Sequence, residues 1–142
     1  MSGDRVFLDT NVLIYLYSED EDKKRDAAYK VVNRDCCLTS TQALNEASNV
    51  WYGKYNWNKH QIMKYLDGIE AVCEKVLLVQ RETINRALNV KDRYGYSYFD
   101  SLMIASALDS GCSVLFSEDM SDGQTIEGQL RIINPFKGIC PL

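Results

Sequence analysis

Five short apolar runs punctuate the chain: "RVFLD" (5–9), "CCLT" (36–39), "KVLLVQ" (75–80), "SVLFS" (113–117) and "LRIIN" (130–134). Between them the apolar residues return every three to four positions, as on one face of a helix. Ala27, Ala28, Val31 and Val32 form one such stripe. Ala43, Leu44, Ala47, Val50 and Trp51 form a second, Ile62, Met63, Leu66 and Ile69 a third, and Ile84, Ala87, Leu88 and Tyr94 a fourth. Strands alternating with helices predict an α/β fold with a parallel sheet. The segment "FDSLMIASALD" (99–109) is apolar nearly all round and stops before Gly111. It predicts a helix buried against the sheet, ended by that glycine. No linker or repeat interrupts the pattern, so a single domain spanning 1–142 is expected.

One run breaks the rule that builds it. In "FLDTNVLIYL" (7–16) a carboxylate, a hydroxyl and an amide sit in the middle of an apolar stretch. The predicted topology supplies a reason. Parallel strands share one carboxyl edge, and helices leaving or re-entering the sheet begin there. Asp9 ends the first strand, and Asp119 follows the fourth. Glu46 falls in the second turn of the helix leaving the second strand, and Asp100 near the start of the helix feeding the fourth. Four acids distant in sequence are thus expected on one edge, where open α/β sheets bind ligands. Glu46 and Asp100 share helical phase with apolar neighbours, which turns them inward.

Each acid alone has an ordinary structural explanation: a helix cap, an Asx turn, a loop residue, a solvated helix position. Together they carry a cost. Two like charges about 4 Å apart repel by roughly 4 kcal/mol at an effective dielectric of about 20. A domain with stability of about 5–15 kcal/mol does not carry several such pairs without a counter-charge. An oxygen-only donor set suits Mg²⁺ or Mn²⁺.

The rest of the composition narrows the class. The lone histidine, His60, makes a zinc site of His and Cys improbable. The five cysteines are odd in number and lack C-x-x-C spacing, so they read as reduced core residues of a cytoplasmic protein. "MSGDRVFLDT" has neither a basic start nor a cleavage site, and no apolar stretch is long enough to span a membrane. The net charge of −4 speaks against a generic nucleic-acid coat protein, though not against a nuclease with a local basic patch.

Four stretches in order, "FLDTNVLIYL", "ALNEASNV", "YFDSLMIASAL" and "LFSEDMSDGQTI", resemble the motifs of the PIN domain, in particular the toxin nucleases of VapBC-type toxin–antitoxin pairs. The resemblance runs over essentially the whole chain. It implies a three-layer α/β/α sandwich on a five-stranded parallel sheet in order 3-2-1-4-5. It implies metal-dependent cleavage of RNA, leaving a 5′-phosphate and a 3′-hydroxyl, by hydrolysis with one or two divalent ions. By position the family's acids fall on Asp9, Glu46, Asp100 and Asp119, as both metal ligands and catalytic residues. Its polar helpers fall on Asn11 and Ser117, and Asp122 stands where some members carry a further acid. The resemblance also implies an RNA substrate, a cognate antitoxin protein and a homodimer. An RNA-processing nuclease without an antitoxin, or a non-cleaving RNA-binding PIN module, are the alternatives.

Other features weigh less. Trp51, Tyr52, Tyr55 and Trp57 interleave with Lys54 and Lys59, a pattern that can stack bases. Packing of a helix hairpin or a protein interface is the preferred reading. "SEDEDKKRD" (18–26) reads as a solvated helix start with no role in chemistry. His60 reads as a surface helix residue, and Gly123 as the pivot of a tight turn after the site.

Overall fold

The computed structural model describes residues 5–139. Five of its strands are the five apolar runs, trimmed: β1 (Arg5–Leu8), β2 (Cys36–Ser40), β3 (Lys75–Leu77), β4 (Val114–Phe116) and β6 (Leu130–Ile133). They pair in parallel in the expected order, with β2 and β4 on either side of β1 and β6 beyond β4. A sixth strand, β5 (Thr125–Ile126), was not expected. It pairs antiparallel with β6 and makes the sheet mixed, in order β3-β2-β1-β4-β6-β5. Three residues, Glu127, Gly128 and Gln129, join β5 to β6. Glu127 and Gly128 both take positive φ, 53° and 65°, the backbone of the tight hairpin turns that match strand twist.

Six helices surround the sheet: α1 (Thr10–Leu16), α2 (Asp22–Arg34), α3 (Thr41–Gly53), α4 (Lys59–Val72), α5 (Arg81–Tyr94) and α6 (Tyr98–Asp109). α1 packs on α2 and α3, and α3 on α4, while α5 and α6 form a separate pair. These two groups are the outer layers of the α/β/α sandwich. The core lies between them, with Phe7, Leu8, Leu38, Leu115 and Ile132 fully buried on the strands and Leu13, Trp51 and Ile104 on the helices. α6 is buried on every side from Ser101 to Leu108, as its sequence predicts, and Gly111 follows it at φ 73°.

Two stripes are out of phase with expectation. Met63 and Leu88 face outward, 55% and 48% exposed. In α5 the buried positions are Thr83, Ala87 and Val90. Thr83 is drawn in by its capping role, exchanging hydrogen bonds with Gln80 across the first turn. Ala87 meets Ala105 and Leu102 in a small cluster, so small residues on both helices set the phase of the pair. α1 is a further correction. Residues 10–16 form their own seven-residue helix directly after β1, with Asp9 as its N-cap.

Cys37, Cys73 and Cys112 are buried free thiols and Cys36 is partly buried; Cys140 lies outside the described residues, as do Met1 to Asp4, Pro141 and Leu142. Among the described residues no helix is long and apolar enough to cross a membrane.

Candidate active site

The strand order makes the site. Between β1 and β4 the chain's connections diverge, and both strands end at one level, with Leu8 opposite Phe116. The Asp9 amide continues the ladder one step, donating to the Phe116 carbonyl at 3.1 Å. That places Asp9 beside Ser117, whose hydroxyl donates to Asp9 Oδ2 at 2.7 Å. The Thr10 amide donates to the other oxygen, Oδ1, at 2.7 Å. Ser117 Oγ also accepts from the Asp119 amide at 3.3 Å. Asn11, the second residue of α1, closes the ring. Its Nδ2 donates to Asp119 Oδ2 at 3.0 Å, and its Oδ1 accepts from the Glu118 amide at 3.3 Å. The "DTN" and "SED" segments are therefore one hydrogen-bonded unit, assembled from residues more than a hundred positions apart.

Glu46 and Asp100 arrive from two helices that start at the same edge. Ser40 ends β2 and caps α3 by accepting from the Ala43 amide at 3.2 Å, which fixes where the second turn falls. Ser97 caps α6 by accepting from the Asp100 amide at 3.3 Å. Asp100 is thus in the first turn and is not the cap.

The electrostatics show that the acids sense one another. Asp9 is 5% exposed, and its carboxyl is pushed up from the ordinary value to about 6. Burial is the largest cause. The bonds from Ser117 and Thr10 oppose it, while the charges of Asp100 and Glu46 add to it. Burial also raises Glu46, against the bond from Gln42, with help from the charge of Asp100. Asp100 is raised by burial and by the charge of Asp119, against its bond with Ser97. Among the described residues none of these four acids forms an ion pair with a basic side chain.

By chemistry this donor set fits a hard divalent cation: carboxylate oxygens, no nitrogen or sulfur, and no basic residue filling the role. By position it is not a finished cage. Among the described residues no group of three or more His, Cys, Asp or Glu side chains is arranged to hold a metal ion as it stands. The acids lie within electrostatic reach of each other, and convergence on an ion requires side-chain movement. Asp122 stands apart. Its oxygens accept from the Asn134 amide at 2.8 Å and from Lys137 at 3.1 Å, and it ties down the chain after β6. These bonds hold its carboxyl below the usual range.

One cation near the site was missed. Lys24 of α2, inside the stretch read as a solvated helix start, reaches Glu118 Oε2 at 2.6 Å and lies 4.8 Å from the Tyr15 ring centre. Tyr15 donates to the other Glu118 oxygen at 2.8 Å. Lys24 and Tyr15 thereby hold the middle acid of "SED" on their side while Asp119 bonds to Asn11. No spacing rule connects residues 24 and 118, so no signal in the sequence marks the pair.

Solved structures with this fold share little sequence with the chain. A toxin–antitoxin complex from Klebsiella pneumoniae is 19% identical, with a TM-score of 0.69, 92% of this chain covered and 97% of that one. VapC20 of Mycobacterium tuberculosis, described as a sarcin–ricin loop cleaving toxin, is 17% identical with a TM-score of 0.65 over 80% and 91%. VapBC2 of Rickettsia felis, bound to a DNA fragment from its promoter, is 17% identical with a TM-score of 0.65 over 92% and 98%. No curated protein matches the sequence. The family model of the PIN domain matches residues 6–121, the span that runs from β1 through the acids to the loop after β4, and the chain belongs to that family.

Proposed function

We propose that the chain is a divalent-metal-dependent endoribonuclease, the toxin component of a toxin–antitoxin pair. The observation that carries the reading is the unpaired carboxylate of Asp9. It is buried at the sheet edge, raised to about 6, and near two further acids, with no basic partner among the described residues. Structural ion networks place a cation beside such a group; reaction sites leave it free for one. Asp9, Asp119, Asp100 and Glu46 are the residues that would hold Mg²⁺ or Mn²⁺. A bound ion would supply positive charge toward a scissile phosphate and acidity to a water.

The chain's own residues do the rest. Ser117 and the Thr10 amide hold both oxygens of Asp9, fixing the direction of its remaining lone pairs. Asn11 holds Asp119 in the same way. Glu46, half-buried and raised, is suited to orient a water or take its proton, since a base works best with its pKa near the working pH. Asp122 is a supporting residue at one remove. With this reading go one catalytic domain, an RNA substrate, a cognate antitoxin, a homodimer and a cytoplasmic location.

The test is cleavage of an RNA panel by purified protein with Mn²⁺ or Mg²⁺, with excess chelator, and with the Asp9→Asn variant. Cleavage confined to the metal-supplied native chain is the expected result. Full activity in chelator, or in a folded Asp9→Asn protein, overturns it. The toxin role predicts growth arrest on expression alone, relieved by co-expressing a small protein encoded next to it.

A further inference from the structure

A cavity opens where α1 ends, and none of the four acids lines it. Its volume is about 180 Å³, room for one side chain rather than a folded element. Tyr17, Trp51, Tyr55 and Trp57 form much of its wall, and Glu19 and Asp20 stand at it. The rings support one another. Trp51 and Trp57 stack with centres 5.4 Å apart and planes 18° from parallel, Tyr17 meets Trp51 edge-on at 6.1 Å, and Tyr55 lies 5.7 Å from Trp57. Trp51 is fully buried, and its indole Nε1–H, without a partner among the described residues, is a donor that calls for an acceptor and is not answered by a cation.

From this arrangement we propose that the cavity is a receptor for one basic side chain, arginine above all, presented by a protein partner. Aromatic faces attract cations, and an arginine plane also stacks on them while its aliphatic stem covers apolar surface. The two acids decide against the other occupants. Glu19 and Asp20 are exposed and, among the described residues, unpaired with any base. Arg25 reaches the cavity wall, bonding to the Ser18 carbonyl at 3.1 Å, but its charge is paired with Asp22 at 3.2 Å and with neither Glu19 nor Asp20. Lys54 lies 5.6 Å from the Tyr55 ring centre, on the chain's own account of what that ring attracts, and is not part of the cavity lining. A purely apolar partner leaves the carboxylates unanswered. A nucleic acid brings phosphates to a mouth followed directly by Glu21 and Asp22. The inference does not depend on the nuclease reading, since it shares no residue with that site.

The chain has two tryptophans, Trp51 and Trp57, and both line the cavity, so tryptophan emission, excited selectively over the nine tyrosines, reports on this place alone. The probes are acetyl-arginine-amide, the uncharged isostere acetyl-citrulline-amide and a short oligoribonucleotide, at matched ionic strength without metal. A saturable change with the arginine probe is expected, about tenfold weaker with citrulline, between the sizes of an exposed and a desolvated cation–π contact. The double variant Glu19→Gln, Asp20→Asn, on the exposed loop, should bind the arginine probe several-fold more weakly while keeping native circular dichroism and RNA cleavage. No response to arginine overturns the proposal. So does an equal response to citrulline, which marks an apolar slot, or a response to the oligoribonucleotide that survives in the double variant, which marks a base-binding site.

Discussion

The two edges of the sheet treat acidic residues in opposite ways. At the amino edge, where the strands begin, Glu74 accepts from Arg5 at 2.8 Å and from the Cys36 thiol at 2.7 Å. Those bonds hold its carboxyl below the ordinary range although it stands in open solvent. At the carboxyl edge Asp9, Glu46 and Asp100 are all raised, chiefly by burial, and among the described residues are answered by no base. The contrast repeats within three residues of one loop: Glu118 has Lys24, and its neighbour Asp119 has only the neutral amide of Asn11. Glu19 and Asp20 also lack a base but stand in solvent, whereas Asp9 is buried and Glu46 and Asp100 are half-buried where the fold concentrates them. Unpaired buried charge is a cost, and among the described residues it falls at the switch point of the sheet, which supports the proposal that this edge is the reactive one.

That contrast can be broken in order of effect. Asp9→Asn should take RNA cleavage to background, measured on a labelled substrate with Mn²⁺. The same change should stabilise the metal-free protein, because it removes an ionised group from a buried position. At pH 7.5 in chelator the gain is at most about 3 kcal/mol, from the rise of the Asp9 carboxyl from 3.8 to about 6, less the cost of setting the asparagine NH2 against one of the two donors that bond Asp9, and urea unfolding measures it.

The pH dependence follows with a fixed sign. Asp9 binds its proton more tightly folded than unfolded, so its contribution is fully present below its unfolded pKa and is lost as pH rises toward about 6. The chelated native chain should therefore be more stable at pH 5 than at pH 7.5, and the Asp9→Asn chain should lose most of that difference. Unchanged slopes in the two proteins would mean that Asp9 is not held as described.

Smaller effects come from the supports. Ser117→Ala should lower cleavage by about 10–100-fold with the fold intact, the range for losing a group that orients a ligand. Lys24→Met should destabilise by roughly 1–2 kcal/mol, between the values for exposed and buried pairs, and its mark is on chemical denaturation. Arg5→Gln at the amino edge should change neither stability nor cleavage measurably, because that pair is solvent-exposed.

Much of the carboxyl edge was readable in the sequence, and for a physical reason. Strand ends and helix starts are set by local patterning and caps, so an acid at either is located without knowing any long-range contact. What local patterning could not show is what depends on two distant places at once. The Lys24–Glu118 pair is of that kind. The exposure of Met63 and Leu88 depends on how helices rotate to pack small residues, as Ala87 and Ala105 do. β5 escaped because its turn uses Glu127 at positive φ, where asparagine or glycine is the usual marker. α1 escaped because "TNVLIYL" is too short to show a period against the apolar strand before it.

Asp9 is the entire connection between β1 and α1: the strand ends at Leu8 and the helix begins at Thr10. A joint of one residue has no slack. An extra residue inserted there would turn the helix by about 100° relative to the strand and swing Asn11 away from Asp119. Length variation among relatives of this chain should accordingly gather in other connections, leaving this seam at constant length however far the surrounding sequence drifts.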